Sequence, residues 1–315
     1  MAEGVLALDQ GTTSSKALLL DVETLDVLAF TSRPVGITSP RRGWVEQDAA
    51  ELFESVRSAA AAVLAERPDV SPVAVAISNQ RESVVAWDGA TGVPCAPLVS
   101  WQDQRGTALC ESLASPRTIE LVAARTGLEL SAMYSAVKLS WLAAHVGERL
   151  GVHYGTVDAW LLDRLTAGRT YATEAGNASR TLLFDIATLD WDAELCALFG
   201  VPRDALPELR RSTGPWGETV GVDGIPDGIP ILAVLGDSHA ALYGHWALAP
   251  EHSAAGKATY GTGSSVMVPT ADAAARRSGV STTLAWWIEE PVWAHEANIL
   301  YAGAGLDWLA SMLGV

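Results

Sequence analysis

The chain has 315 residues, enough for about two domains at roughly 150 residues each. Its 37 acidic against 21 basic side chains leave a formal charge of −16, the wrong sign for reading a phosphate backbone and an argument against nucleic acid as a partner. With 49% hydrophobic and 18% charged residues, it can bury a large core and is not a disordered chain.

Met1-Ala2-Glu3-Gly4 lacks the basic start of a secretion signal, and the apolar run that follows is cut by Asp9. No stretch reaches the roughly 18 apolar residues of a membrane span, so no membrane partner is expected. Val5 to Leu8 and Ala17 to Asp21 predict two strands of a hairpin around a Gly/Thr/Ser turn at Asp9 to Ser15. Leu52, Val56, Ala59, Ala60, Val63 and Leu64 recur at helical spacing between Asp48, a ready N-cap, and Arg67, with Pro68 as the stop. Val73 to Ile77 is a continuous apolar run, expected to be a strand covered on both faces that delivers Asn79-Gln80-Arg81-Glu82 to a sheet edge. Val84 to Trp87 with Gly92-Val93-Pro94 predicts a hairpin-like pair, and Ser135 to His145 and Thr156 to Leu165 predict helices.

After a Gly/Pro/Asp-rich stretch at 217–230, Ile231 to Leu235 predicts another buried strand ending in Gly236-Asp237, then a helix over Ala240 to Trp246. Strands and helices alternate, so the class is α/β. The turn Gly261-Thr262-Gly263-Ser264-Ser265 echoes Gly11-Thr12-Thr13-Ser14-Ser15 and suggests internal duplication with a boundary near residue 247, dividing the chain into 1–247 and 248–315. Leu306 to Leu313 predicts a final helix. Cys95, Cys110 and Cys196 are scattered and odd in number, indicating neither disulfides nor a zinc site, and the six His show no metal spacing. The cytoplasm is the compartment this pattern fits.

Gly11, Thr12, Thr13, Ser14, Ser15 and Lys16 offer amides, hydroxyls and a cation, the chemistry a phosphate needs, although a plain polar turn explains them equally well. Asp9 and Asp237 each follow an apolar strand, where ligands of open α/β sheets bind; a lone Asp there is also a common turn former or helix cap. Taken as a pair, one orients hydrated Mg²⁺ and the other accepts a proton from an attacking hydroxyl. Arg81-Glu82 presents a donor fork and an acceptor to a polyhydroxylated molecule, or else is a surface ion pair of little worth. Trp101 and Tyr134 supply a wall and a hydroxyl to a small pocket, or are two ordinary aromatics.

Ala7 to Lys16, Gly43-Trp44-Val45-Glu46-Gln47-Asp48, Ser78 to Glu82, Asn177-Ala178-Ser179-Arg180-Thr181 and Tyr260 to Gly263, in this order, resemble the FGGY carbohydrate kinases, and among them the glycerol kinases. The resemblance implies a ribonuclease-H-like fold of the actin/hexokinase ATPase superfamily, with ATP and Mg²⁺ in a cleft and a polyol or sugar bound mostly by the first domain. It implies nucleotide contacts from Thr12, Thr13, Ser14, Lys16, Thr262 and Gly303, and Mg²⁺ held through water by Asp9 and Asp237. Acceptor contacts fall to Arg81, Glu82, Trp101, Tyr134, Asp237, Ser238 and Ser265, with Asp237 as general base. The implied reaction is ATP-dependent phosphorylation of a primary hydroxyl of glycerol or a related polyol or sugar.

Lys16 stands where glycerol kinases carry Arg, keeping the cation without the planar fork. Ser238 replaces Gln and Ser265 replaces Phe, which implies a wider and wetter pocket that suits a longer polyol or a ketose. Family members are longer than this chain. The resemblance therefore implies one complete N-terminal domain over 1–247 and the opening of a nucleotide-binding domain over 248–315, with a non-catalytic polyol-binding module as the rival reading. Family members are often oligomers; the sequence itself carries no interface signal.

Overall fold

The computed structural model describes residues 2–147, 149–249, 256–260, 264–273 and 279–299, together with 305, 309, 310, 312 and 313. The chain opens with an antiparallel meander of β1 (Ala2–Gln10), β2 (Ser14–Asp21) and β3 (Val27–Pro34). Then come β4 (Glu46–Gln47) and α1 (Ala49–Glu66), whose N-cap Asp48 accepts hydrogen bonds from the amides of Ala50 and Glu51. Ala49, Leu52, Val56, Ala59, Ala60 and Val63 form the helix's buried stripe, packed on Leu6, Leu8, Ala17 and Leu19 of the meander.

Next are β5 (Val70–Asn79), β6 (Val84–Asp88), β7 (Leu98–Val99), α2 (Thr107–Leu113), α3 (Pro116–Thr126), α4 (Ser135–Val146), β8 (Val152–Thr156) and α5 (Val157–Leu165). The middle of the chain holds β9 (Ala172–Glu174), α6 (Ala175–Ala178), β10 (Phe184–Asp185), β11 (Asp190–Trp191), α7 (Ala193–Phe199) and β12 (Glu208–Arg210). It continues through β13 (Ile231–Gly236), α8 (Asp237–Leu248), β14 (Lys257–Tyr260), β15 (Ser264–Thr270), β16 (Ser281–Trp287) and β17 (Pro291–Ile299).

The main sheet has the order β13-β5-β1-β2-β3, with β13, β5 and β1 parallel to one another. The register aligns Gln10 with Asn79 and Asn79 with Gly236, so three strands end together and release their following residues at one edge. The expectation that β5 is covered on both faces is corrected: Val75 and Ile77 are buried, while Ala74 and Ala76 are half-buried. The buried face packs into the α1 and α5 core, whereas α8 covers the opposite face only in part.

A second, antiparallel sheet runs β14-β15-β17-β16. Its β14–β15 pair, in which Tyr260 faces Ser264, repeats the β1–β2 pair, although the intervening Gly261-Thr262-Gly263 turn lies outside the described residues. A small apolar core of Leu242 from α8 with Met267, Ala285, Trp286 and Ala294 from this sheet joins it to the main body. In the final predicted helix, Leu309, Ala310, Met312 and Leu313 are helical, and Leu306 lies outside the described residues.

Candidate active site

At the shared strand edge a cavity of about 180 Å³ opens, lined by Thr12, Arg81, Glu82, Trp101, Asp237, Ser238 and Ser265, all expected from the sequence. Met133, Arg180, Thr259, Ser264 and Asn298 complete its wall. Thr12 is set by a layer of amides behind it. Gln47 Nε2 donates to the Thr12 carbonyl at 2.8 Å, Gln80 Nε2 donates to Gln47 Oε1 at 2.9 Å, and Trp101 Nε1 donates to Thr12 Oγ1 at 2.9 Å.

Arg81 and Glu82 are buried and do not pair with each other, which removes the surface ion-pair alternative. Arg81 donates through Nη1 and Nη2 to both oxygens of Glu296, at 3.1 and 2.6 Å. Glu82 accepts from Arg180 Nε at 2.6 Å, and Arg180 Nη1 lies 2.9 Å from Glu296. The result is a buried chain of alternating charge, Glu82–Arg180–Glu296–Arg81, which satisfies the rule that buried charges are paired. Burial opposes ionisation of Glu296, yet Arg180 and Arg81 hold its carboxyl well below the usual carboxylate range. Glu82 has a φ of 62°, a conformation a non-glycine residue holds only when its surroundings fix it.

Asp237 is the first residue of α8, its carboxylate 42% exposed and its Oδ1 3.5 Å from Arg81 Nε. Desolvation raises its pKa, with Arg81 opposing and Glu82 reinforcing that shift. Two residues on, buried His239 places Nε2 3.2 Å from Arg81 Nη1. Burial and the neighbouring Arg81 hold that imidazole neutral, so Nε2 accepts. Around this cavity, Arg81 Nε, Arg180 Nη1 and Nη2 and His239 Nδ1 are buried without a hydrogen-bond partner among the described residues. Three of these four belong to cavity-lining arginines.

Asp9 is the last residue but one of β1, and its Oδ2 accepts from Lys16 Nζ and its Oδ1 from Ser78 Oγ, each at 3.0 Å. It stands two strands from Asp237 at the same sheet edge, with β5 between them. Thr13 is exposed beside Thr12, and Ser14 begins β2. Tyr134 sits behind the cavity wall rather than in it: it is buried, its hydroxyl 3.1 Å from Ser281 Oγ and its ring under Arg180. Thr262 and Gly303 lie outside the described residues. Sequence reasoning gave no role to Arg180, His239, Glu296 or Asn298. A signal for Glu296 exists, since it is a charge on the inward phase of a strand, next but one to buried Ala294.

The model for the N-terminal domain of the FGGY family of carbohydrate kinases matches residues 4–244. The chain is 41% identical over 319 residues to an apulose kinase of Pectobacterium atrosepticum, covering 99% of this chain and 64% of that protein. It is 45% identical over 317 residues to a glycerol kinase of Thermus brockianus, covering 97% of this chain and 63% of that one. The crystal structure of Plasmodium falciparum glycerol kinase with ADP superposes with a TM-score of 0.91 at 27% identity, covering 100% of this chain and 64% of that chain. The chain thus spans less than two thirds of the length of these relatives.

Proposed function

The chain belongs to the FGGY family of carbohydrate kinases, and from that premise we propose that the cavity is the acceptor site of an ATP-dependent phosphorylation of a primary hydroxyl on glycerol or a related polyol or sugar. The observation that carries this reading is that Arg81, Arg180, Glu82 and the 42% exposed carboxylate of Asp237 line one cavity, with Arg180 Nη2 buried and without a hydrogen-bond partner among the described residues. Donors of this kind lose free energy until a ligand oxygen meets them, and a polyol supplies such oxygens.

In this reading the arginines and Glu82 grip acceptor hydroxyls while Trp101 packs against the carbon chain. Asp237 takes the proton of the reacting hydroxyl as that oxygen bonds to the γ-phosphorus and the bond to the ADP oxygen breaks. The raised pKa of Asp237 makes it a better proton acceptor than a fully solvated aspartate. Thr12, Thr13, Ser14 and Lys16 lie at the turn where the phosphates would be held, and we assign Thr262 and Gly303 the same task. The β1–β2 turn and α8 would then belong to a first domain over 1–247, with 248–315 beginning the nucleotide side.

Asp9, on β1, and Asp237, just past the end of β13 at the same sheet edge, are the carboxylates we assign to a hydrated Mg²⁺. No group of three potential ligands forms a cage among the described residues, and this ion is typically held by one or two carboxylates together with waters and phosphate oxygens. When bound, it would neutralise charge on the transferring phosphoryl group. No described helix is long and apolar enough to cross a membrane. We take the protein to act on a small molecule in the cytoplasm.

The test is transfer of labelled γ-phosphate from ATP to glycerol, erythritol, xylulose or ribulose by a protein extended to the length of its relatives. The expected result is a phosphate ester of at least one acceptor. ATP hydrolysis unaffected by every acceptor, with no ester formed, would refute the assignment.

A further inference from the structure

Glu296 lies on the second sheet, yet its side chain is spent inside the first. It is fully buried and reaches Arg81 with two hydrogen bonds while standing 2.9 Å from Arg180 Nη1. We propose that Glu296 is a positioning residue for the acceptor site: it holds the guanidiniums of Arg81 and Arg180, two residues that line the cavity, in a fixed arrangement, and so ties acceptor binding to the seating of the second sheet. The inference rests on the acceptor reading above.

Geometry supports it in three ways. Glu296 takes one N–H from each Nη of Arg81 and His239 faces Nη1, while Nε is turned toward Asp237. It also stands between two like charges, which would otherwise repel at close range and draw Arg81 onto Asp237, the nearest remaining carboxylate. Finally, β17 carries Asn298 two residues on and therefore on the same face, and β15 pairs Ser265 with Asn298 and Met267 with Glu296. Ser265 and Asn298 line the cavity. One pair of strands thus supplies both a cavity wall and the clamp on the arginines.

A merely structural tie between the two regions makes a different prediction. Ser179 Oγ and Thr283 Oγ1, 2.7 Å apart and buried, join the same regions with no hydrogen bond to the side chain of either arginine. Calorimetric titration of glycerol and of xylulose into the 315-residue chain, its Glu296→Gln variant and its Thr283→Val variant separates the two accounts. Glu296→Gln should weaken acceptor binding by roughly tenfold or more. Thr283→Val should leave affinity within about twofold even if its melting temperature falls. Wild-type affinity in Glu296→Gln, or an equal loss in Thr283→Val, overturns the proposal. A wild-type chain that binds neither compound overturns the acceptor reading itself.

Because Glu296→Gln leaves a buried charge unpaired and could unfold the chain, a second measurement uses the unmodified protein. Nitrogen-15 spectra of its guanidinium groups should show separate, slowly rotating Nη signals for Arg81 and Arg180 before any acceptor is added, with glycerol moving the Arg81 Nε–H signal. Freely averaged Nη signals in the ligand-free protein overturn the proposal.

Discussion

Gly236 has no room for a side chain, since a Cβ there would lie 2.7 Å from both Cγ and Cδ of Arg81. That stem cannot swing aside because its guanidinium is fixed on Glu296. Gly236→Ala should therefore displace the arginine and weaken glycerol binding about tenfold, read by calorimetry, while circular dichroism stays that of the folded chain. Ser265→Phe should narrow the cavity and penalise xylulose more than glycerol, by roughly tenfold in relative affinity; equal losses for both compounds would mean that Ser265 does not set the acceptor's size. Arg81, Glu82 and Asp237 are legible in the sequence as residues that follow apolar strand runs, where ligands collect. An ion pair or a helix cap explains them there as well, and their acceptor role comes from the family resemblance. Their partners are not legible. Arg180 meets Glu82 across 98 positions and Glu296 meets Arg81 across 215, separations at which local pattern carries no information.

Among the elements, α1 is the one most plainly written in the sequence, with a cap, an apolar stripe and a proline stop. Asp48→Ala removes the acceptor of two amide hydrogen bonds and should cost about 1 kcal/mol, seen as a melting temperature a few degrees lower. The short α6 was not foreseen, since four residues give no periodicity. It is capped by Glu174, which accepts from the amide of Asn177 at 2.7 Å and from Ser212 Oγ at 2.6 Å. Asn177 and Asn79 exchange side-chain hydrogen bonds at 3.0 and 3.2 Å, docking α6 beside the strand that ends in the site.

Burial raises the Glu174 pKa to about 8. A carboxyl whose folded pKa lies above its unfolded value binds protons more tightly when folded. Its contribution to stability is therefore greatest at low pH and falls as pH rises from about 4.5 to about 8. Lys138, lowered by burial to about 7, acts in the opposite sense between that value and its ordinary 10.5, so the interval from about 5 to 7 leaves the lysine out. Buried His239, which also contributes below 6.5, is common to both proteins compared. Denaturant unfolding across that interval should show Glu174→Gln losing less stability than the wild-type chain. Parallel curves would contradict a buried, proton-binding Glu174.

At the scale of the molecule, the proposed acceptor site is a joint product of two sheets. The main sheet brings Thr12, Arg81 and Asp237 to one edge through the common ending of β1, β5 and β13. The second sheet contributes Ser264, Ser265, Asn298 and the buried Glu296. The sequence showed the first contribution and, in the repeated Gly/Thr/Ser turn, the existence of the second; how the two meet depends on packing that only coordinates reveal. The most direct measurement is phosphoryl transfer by Asp237→Asn in a protein of the relatives' full length, with glycerol affinity determined on the same sample. Turnover should fall by about 10² to 10⁴-fold while affinity stays within a few-fold of wild type. Near-normal turnover would contradict Asp237 as the proton acceptor and, with it, the function assigned to this cavity.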